Sequence, residues 1–524
     1  MTKLTVPITA VSLNQAIDDI RRSAQAGADL VEIRLDYLAS VDYQSLVENS
    51  PVPILWTLRH SSEGGKFTGS VESQIDQLSA AISAGGNYVD IEFQRWTTSG
   101  KAQERLLNKI SQLRTGGKNV KLILSCHDFQ ATSPDILSLA QKVAADPFCD
   151  IIKIAGYAKS VDDNFLIFDF LKNSTKPAVG IAMGPLGSAS RLLAGKFQAE
   201  LIFAALSENK SSAPGQLTIG QMKEEYNWDH LNPKTQLAAV IGHPVNHSLS
   251  PIMHNQAYKQ MGLDAIYLKF DVADSYEDFA RFIDGLRARP WLDCVGLSVT
   301  IPHKTNAIRY LKNQNASIDP LAEKIGAVNT LVFNRDGSLA GYNTDYLGVL
   351  ETLRVIAGVD KSALKNKHVN VLGGGGVCRA IVAAMTSAGA DVTIFNRTAA
   401  KAQSLAEEFQ CRWVPWEKRN SAPAEIFING TSLGMHPHIE ECPLDSSALR
   451  PGMIVFDTVY NPLETRLLQY ARQAQALPVN GADMLVYQAA QQINLWFNRE
   501  QKEEFFIPID IMKNAVLSKL RDQE

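Results

Sequence analysis

The sequence predicts an α/β protein: a (β/α)8 barrel at the N-terminus, then a two-lobed α/β unit whose second lobe is a doubly wound sheet. Three observations predict it. Between residues 4 and 206, eight short and nearly continuous apolar runs alternate with helix-like or loop segments. A polar, poorly periodic stretch from Met222 to Lys234 then breaks the pattern. Near His368 a new pattern starts, in which a strand runs into glycines, a helix and another strand.

The eight runs are Leu4–Ile8, Leu30–Leu35, Ile54–Leu58, Tyr88–Phe93, Lys121–Cys126, Ile151–Ala155, Ala178–Met183 and Leu201–Ala205. Strands that are apolar on both faces belong to a parallel sheet covered by helices. Val71–Ala84 has apolar positions three and four apart, a helical period. Eight such units in about 200 residues suit a TIM-type barrel at the compact end of its class. The eighth run fits strand or helix by pattern alone. The barrel is assigned to residues 1–222 and a linker to 223–236. A mixed lobe follows at 237–345, then a doubly wound lobe at 346–481. The helical segment 482–524 is expected to pack back on the mixed lobe, because a lone terminal helix pair buries too little.

The bulk numbers exclude several classes of partner. A net charge of −4 gives no general attraction to nucleic acid or to an anionic membrane. Six cysteines, none in a CxxC pair, suit a reducing compartment and argue against a disulfide framework or a zinc ribbon. His436 and His438 flank a proline without further ligands nearby, so no metal is expected. Met1–Pro7 lacks the features of a signal or transit peptide, and no apolar run reaches the roughly 20 residues that span a bilayer. The expectation is a cytoplasmic protein with small-molecule substrates and no obligate protein partner.

In a barrel of this kind chemistry sits at the C-terminal ends of the strands, and polar residues collect there. Glu32, Arg34 and Asp36 lie in or after the second run, and Arg59 and Glu63 after the third. His127 and Asp128 follow the fifth, Lys153 lies inside the sixth, Arg191 follows the seventh, and Ser212 and Gln216 the eighth. Burying an ammonium among Ile151, Ile152, Ile154 and Ala155 is costly, so the setting of Lys153 favours a neutral amine able to form an imine with a ketone. His127, with Glu63 available to orient it, supplies a general acid and base. Three arginines, Arg34, Arg59 and Arg191, suggest an anionic substrate.

The runs VEIRLD, LRHSSEGGKFTGS, SCHDF, DIIKIA, ASRLLAG and SAPGQ resemble, in order, the signature blocks of type I 3-dehydroquinate dehydratases across nearly all of residues 1–222. That resemblance implies an imine on Lys153, proton transfer by His127 held by Glu63, and a substrate carboxylate on Arg191. It also implies that Glu32, Arg34, Arg59, Ser212 and Gln216 hold the ring substituents.

In the third pattern, HVNVLGGGGVCRA (368–380) carries glycines that let backbone approach a pyrophosphate at a helix N-terminus. The strict GxGxxG spacing fails at Cys378. The next strand ends in Asn396, Arg397 and Thr398, where an NAD enzyme carries an acid for the ribose diol. An arginine there pairs with a 2′-phosphate instead, so NADP(H) is the expected cofactor. Upstream, Ser248 and Ser250 precede a helix and suit a carboxylate. LSVTIPHK, AVNTL and GYNTD place Thr300, Lys304, Asn329, Thr344 and Asp345 at loop ends. A Lys–Asp pair can pass a proton to the alkoxide formed when a ketone receives hydride.

With Tyr460-Asn461-Pro462-Leu463-Glu464-Thr465 and GADMLVYQAAQQ (481–492), these blocks resemble shikimate dehydrogenases across residues 237–524. The resemblance implies substrate contacts from Ser248, Ser250, Thr300, Asn329, Thr344, Asp345, Tyr460, Gln488 and Gln492, with Lys304 and Asp345 carrying the proton. It implies cofactor contacts from Gly373, Gly374, Gly375, Gly376, Val377, Asn396, Arg397, Thr398, Thr458 and Gly481. Three other readings stay open: a Schiff-base aldolase joined to an unrelated reductase, a metabolite sensor that kept the folds, and a second part that prefers quinate.

Overall fold

In the computed structural model, which describes residues 1–498 and 505–521, the eight apolar runs become eight parallel strands. They are β1 (Lys3–Ile8), β2 (Leu30–Arg34), β3 (Ile54–Thr57), β4 (Tyr88–Glu92), β5 (Lys121–Asp128), β6 (Ile151–Tyr157), β7 (Ala178–Met183) and β8 (Leu201–Phe203). The order around the sheet is β7-β6-β5-β4-β3-β2-β1-β8, so the last strand returns to pair with the first, Ile202 opposite Leu4. The eighth run is therefore a strand. The expected closed barrel is nearly closed: β7 and β8 are joined at their starts, where Glu200 N donates to Ala178 O (2.9 Å). β8 is short because the chain turns away past Phe203, Ala205 N donating to Leu217 O (2.8 Å).

The helix Val71–Ala84 starts where the Ser70 hydroxyl accepts from Ser73 N. It buries Ile75, Leu78 and Ile82, one face at helical spacing.

The stretch that reads as a linker belongs to the first of two compact units, Met1–Thr235 and Gln236–Glu524. Met222, Tyr226 and Trp228 are buried, and the buried Lys196 ammonium donates to the carbonyls of Pro233 (3.1 Å) and Thr235 (2.8 Å). Its apolar residues follow neither helical nor strand period, so only their tertiary burial reveals them as structure.

The second unit opens with β9 (Gln236–Gly242), β10 (Ala265–Asp271), β11 (Cys294–Val299), β12 (Ser317–Ile318), β13 (Thr330–Phe333) and β14 (Leu339–Tyr342), in the order β10-β9-β11-β13-β14-β12. Helices Gly481–Phe497 and Ile509–Arg521 bury Val486, Ile493, Trp496, Met512 and Val516 in one core with Met253, Tyr258 and Tyr267 of this lobe. Residues 499–504 and 522–524 of the segment expected to return lie outside the described residues.

The second lobe is built on β15 (His368–Leu372), β16 (Asp391–Asn396), β17 (Arg412–Pro415), β18 (Ile426–Asn429), β19 (Ile454–Asp457) and β20 (Leu477–Val479), all parallel, in the order β17-β16-β15-β18-β19-β20. This is the Rossmann order, 3-2-1-4-5-6, whose ligand crevice opens between the first and fourth strands at their carboxyl ends.

Candidate active sites

Side chains two apart on a strand share a face, and in the barrel five adjacent strands use this to bring polar groups inward. Glu32 and Arg34 come from β2, Thr57 from β3 with Arg59 just beyond, Asp90 and Glu92 from β4, Ser125 and His127 from β5, and Lys153 from β6. Register sets Arg34 beside Thr57, Thr57 beside Asp90, Glu92 beside Ser125, and Ser125 beside Lys153. The nine barrel residues to which the resemblance gives a role line one cavity of about 70 Å³; Asp36 and Asp128 do not.

Lys153 is buried, but not among isoleucines alone. Its ammonium lies 2.8 Å from Asp90 Oδ2, 3.7 Å from Glu32 Oε1, and 4.4 Å from the centre of the Phe203 ring. The expectation of a purely apolar setting is corrected: carboxylates from β4 and β2 stand beside the Lys153 amine, which the local sequence around it does not show. Asp90 is fully charged there. Burial pushes its carboxyl up, yet Arg59, then Lys153, hold it far below the usual carboxylate range.

The three arginines do not act alike. Arg34 grips Asp36 with two hydrogen bonds, 2.9 and 2.8 Å. Arg59 donates to Asp90 (2.8 Å) and Ser125 (2.8 Å) and lies 3.1 Å from Glu92. Both are neutralised by the protein, so the reading of three anion-seeking arginines narrows to one. Arg191 is 1% exposed, and its Nε and one terminal nitrogen have no partner among the described residues. Burial pulls its guanidinium down to about 10, which leaves it cationic at neutral pH. A buried, unpaired cation is costly, and an anionic ligand would repay it.

Glu63 Oε2 accepts from both the backbone N–H and the ring Nδ1 of His127, each at 2.9 Å. This is a hydrogen bond to a neutral ring: burial, then Arg59 and Lys153, push the imidazole well below its ordinary range. Burial, against the pull of Arg59, lifts Glu63 up to about 7. With the proton assigned to Nδ1, Nε2 carries the lone pair. On the loop after β8, Gln216 Oε1 accepts from Ser212 N (2.9 Å), and Gln216 Nε2 has no partner among the described residues.

Asp90, Glu92 and Ser125 were not singled out in the sequence. The readable sign was two acids at alternate positions inside a strand that must be buried, VDIE, since buried charges require partners.

In the second unit Lys304, the first residue of the helix Lys304–Asn313, is ion-paired with Asp345 Oδ2. Asp345 Oδ1 accepts from Asn329 Nδ2 (2.9 Å), which also lies 3.0 Å from Thr344 Oγ1 and 3.4 Å from Gln488 Oε1. The structure thus gathers Lys304, Asn329, Thr344, Asp345 and Gln488 at one point. Gln492 stands behind them: it is 1% exposed, and its amide is engaged by Ser298, Thr330 and the Asn329 carbonyl. Its side chain thus braces Asn329 and Thr330. Ser250 N donates to Ser248 Oγ (3.3 Å) at the start of the helix Ser250–Met261. Thr300 lies just past β11, its N–H on Ile241 O (2.9 Å), and Tyr460 packs at the margin of the mixed lobe's core.

The glycine turn fits a dinucleotide. Gly373 has φ +116°, open to glycine alone. A Cβ on Gly375 would meet nothing within 4 Å, leaving room above the N-terminus of the helix Gly376–Ser387. A Cβ on Gly374 would lie 3.2 Å from the Asn396 side chain, and one on Gly376 would lie 3.2 Å from Lys304 Cδ, so turn and lysine adjoin. Cys378, which breaks the spacing rule, is fully buried beneath the turn with Sγ toward Gly430 O (3.2 Å). Arg397 is exposed and makes no ion pair or side-chain hydrogen bond among the described residues. Thr398 stands at the N-cap position of the helix Ala399–Phe409 without a side-chain capping bond. Gly481 packs so tightly under Thr458 that a Cβ would come within 2.2 Å of its carbonyl oxygen.

Fold and sites together define a chain that joins two enzymes of small-molecule metabolism: a lysine-centred (β/α)8 barrel and a two-lobed dehydrogenase. Residues 4–233 match the type I 3-dehydroquinase family, 240–331 the shikimate dehydrogenase substrate-binding domain, and 356–436 the shikimate/quinate 5-dehydrogenase family. A bifunctional 3-dehydroquinate dehydratase/shikimate dehydrogenase of Arabidopsis thaliana, a chloroplastic protein, is 34% identical over 522 residues, covering 96% of this chain and 83% of its own. A shikimate dehydrogenase (NADP(+)) of Bacillus cytotoxicus is 40% identical over 292 residues, 54% of this chain and 99% of its own. A shikimate dehydrogenase crystallised with NADP+ is 38% identical with a TM-score of 0.50, over 55% of this chain and 97% of the other. The chain belongs to the family of bifunctional 3-dehydroquinate dehydratase/shikimate dehydrogenases. No described helix is long and apolar enough to cross a membrane.

Proposed function

We propose that the chain dehydrates 3-dehydroquinate through an imine on Lys153 and then reduces 3-dehydroshikimate to shikimate with NADPH. The single observation that carries the first half is Arg191, a buried guanidinium with two nitrogens that have no partner among the described residues, in the same cavity as a buried lysine and a neutral histidine. A substrate carboxylate on Arg191 brings its ketone to the Lys153 amine, and condensation expels one water. Asp90 and Glu32, which hold the ammonium in the free protein, next face the cationic imine. His127 Nε2 takes the proton from the neighbouring carbon, the electron pair moves into the imine, and the β-hydroxyl leaves as water with a proton returned from the imidazole. A water then hydrolyses the imine and restores the amine. Glu63 keeps the ring in the tautomer this needs, and Ser212 and Gln216 hold ring hydroxyls from the loop above.

In the second unit Ser248, Ser250 and Tyr460 would take the carboxylate of the product, and Thr300, Asn329, Thr344 and Gln488 its ring oxygens. Lys304 and Asp345 hold the proton that the ketone oxygen acquires. Gly373–Val377, Thr458 and Gly481 would seat the dinucleotide, and Asn396, Arg397 and Thr398 its 2′-phosphate; when bound, NADP(H) supplies or accepts the hydride. The test is one assay of dehydroquinate with and without NADPH. Dehydroshikimate is expected without the nucleotide and shikimate with it. Failure of either product to appear removes that half of the reading.

A further inference from the structure

A run of buried hydrogen bonds leads from the core of the mixed lobe to the Lys304–Asp345 pair. Tyr267 Oη donates to Ser298 Oγ (2.6 Å), Ser298 Oγ to Gln492 Oε1 (2.7 Å), and Gln492 Nε2 to Thr330 Oγ1 (3.0 Å). Thr330 Oγ1 donates to Asn329 Oδ1 (2.7 Å), and Asn329 Nδ2 to Asp345 Oδ1 (2.9 Å). All six residues are at most 8% exposed.

The direction of the run follows from chemistry. An amide flip is ordinarily assigned from its network, but here two backbone groups decide. The Thr344 N–H, a donor only, points at one end of the Asn329 amide (2.8 Å); that end must be oxygen, so the NH2 faces Asp345. The Asn329 carbonyl, an acceptor only, takes a hydrogen bond from Gln492 (3.3 Å), so Gln492 turns its NH2 inward and its oxygen to Ser298. Asn329 Oδ1 cannot donate, so Thr330 does, and its oxygen must accept from Gln492. Ser298 then has to donate to Gln492, and Tyr267 has to donate to Ser298. The Tyr267 ring is itself clamped against His254, stacked at 4.0 Å and 2°. Ser250, at the expected carboxylate end of the site, also reaches the Tyr267 phenol.

We propose that Tyr267 and Ser298 are positioning residues of the reductase. They head a one-way hydrogen-bond chain that locks the Asn329 amide and so holds Asp345 against Lys304 in reacting geometry. This rests on the Lys304–Asp345 reading above. Buried, fully satisfied networks fix one arrangement, and breaking one link leaves polar groups free to reorient. Neither residue needs to touch substrate.

The test is steady-state shikimate oxidation by the full chain. Tyr267→Phe keeps the ring stack and Ser298→Ala keeps the strand; each is expected to lower kcat about tenfold, the worth of one network hydrogen bond, with KM for NADP+ unchanged. Ser298→Thr, which keeps the hydroxyl, should restore kcat, and the double variant should be no slower than the slower single one, because both cut the same chain. Wild-type kcat in both single variants overturns the proposal. So does a loss that Ser298→Thr fails to restore, or one that is additive in the double variant, since these mark packing damage alone. Lys304→Ala, measured alongside, separates the two levels. Loss there with normal Tyr267→Phe and Ser298→Ala sinks only the chain, whereas full activity there sinks the underlying reading.

Discussion

One oxygen of Glu63 binds His127 at two points, accepting from its backbone N–H and from its ring Nδ1, both at 2.9 Å. The contact fixes the ring and its tautomer together, and it depends on the carboxyl being ionised. Because burial lifts Glu63 up to about 7, the anion is present above that pH and lost as pH falls through it. The dehydratase kcat should therefore drop on the acid side with a midpoint near 7. Glu63→Gln should lower kcat by about 10–100-fold and abolish that limb. A pH–rate profile on wild type and variant checks both, and an unchanged acid limb in the variant would remove Glu63 from this role.

Lys153→Ala should end dehydration and leave reduction of dehydroshikimate intact, since the two units fold separate cores. Borohydride added to wild type with dehydroquinate should trap the reduced adduct on Lys153, read by peptide mass. Label on any other residue would discard the imine assignment.

Arg191 predicts an exchange of function for stability. Its charge is buried without a partner among the described residues, so Arg191→Leu removes an uncompensated cation and should raise the melting temperature of the ligand-free protein. The same change should cut dehydratase kcat/KM by roughly 100-fold or more, the cost of losing a buried charge partner. Calorimetry and kinetics read the two arms. A lower melting temperature with normal kcat/KM would refute the anion-site reading.

Arg397→Ala should weaken NADPH by about 10–100-fold, as loss of a charge-assisted phosphate contact does, and leave NADH nearly unchanged. Titration of both nucleotides checks this. Equal losses would mean that Arg397 shapes the turn and does not read the phosphate.

The strand runs of the barrel were legible because both faces of a parallel strand are covered, which writes an unbroken apolar run into the chain. The helix Val71–Ala84 was legible by its period. The nine residues that line the barrel cavity were legible as candidates because polar groups at strand ends stand out against that background. The segment 223–235 was not, because its buried tyrosine and tryptophan keep no period. Arg34, Arg59 and Arg191 look alike in sequence.

By itself the sequence determined the order of folds, the strand ends where chemistry collects, and the residue types able to perform it, since these rest on local pattern and spacing. Only the tertiary structure decided which charges are spent on each other. Asp90 and Glu32 meet Lys153, and Asp36 and Asp90 neutralise two arginines, because neighbouring strands lie about 5 Å apart while their residues stand tens of positions apart in the chain. Coulomb energy depends on that distance through space, and so Arg191 could be known as the one of the three barrel arginines unpaired among the described residues only after the barrel had formed around it.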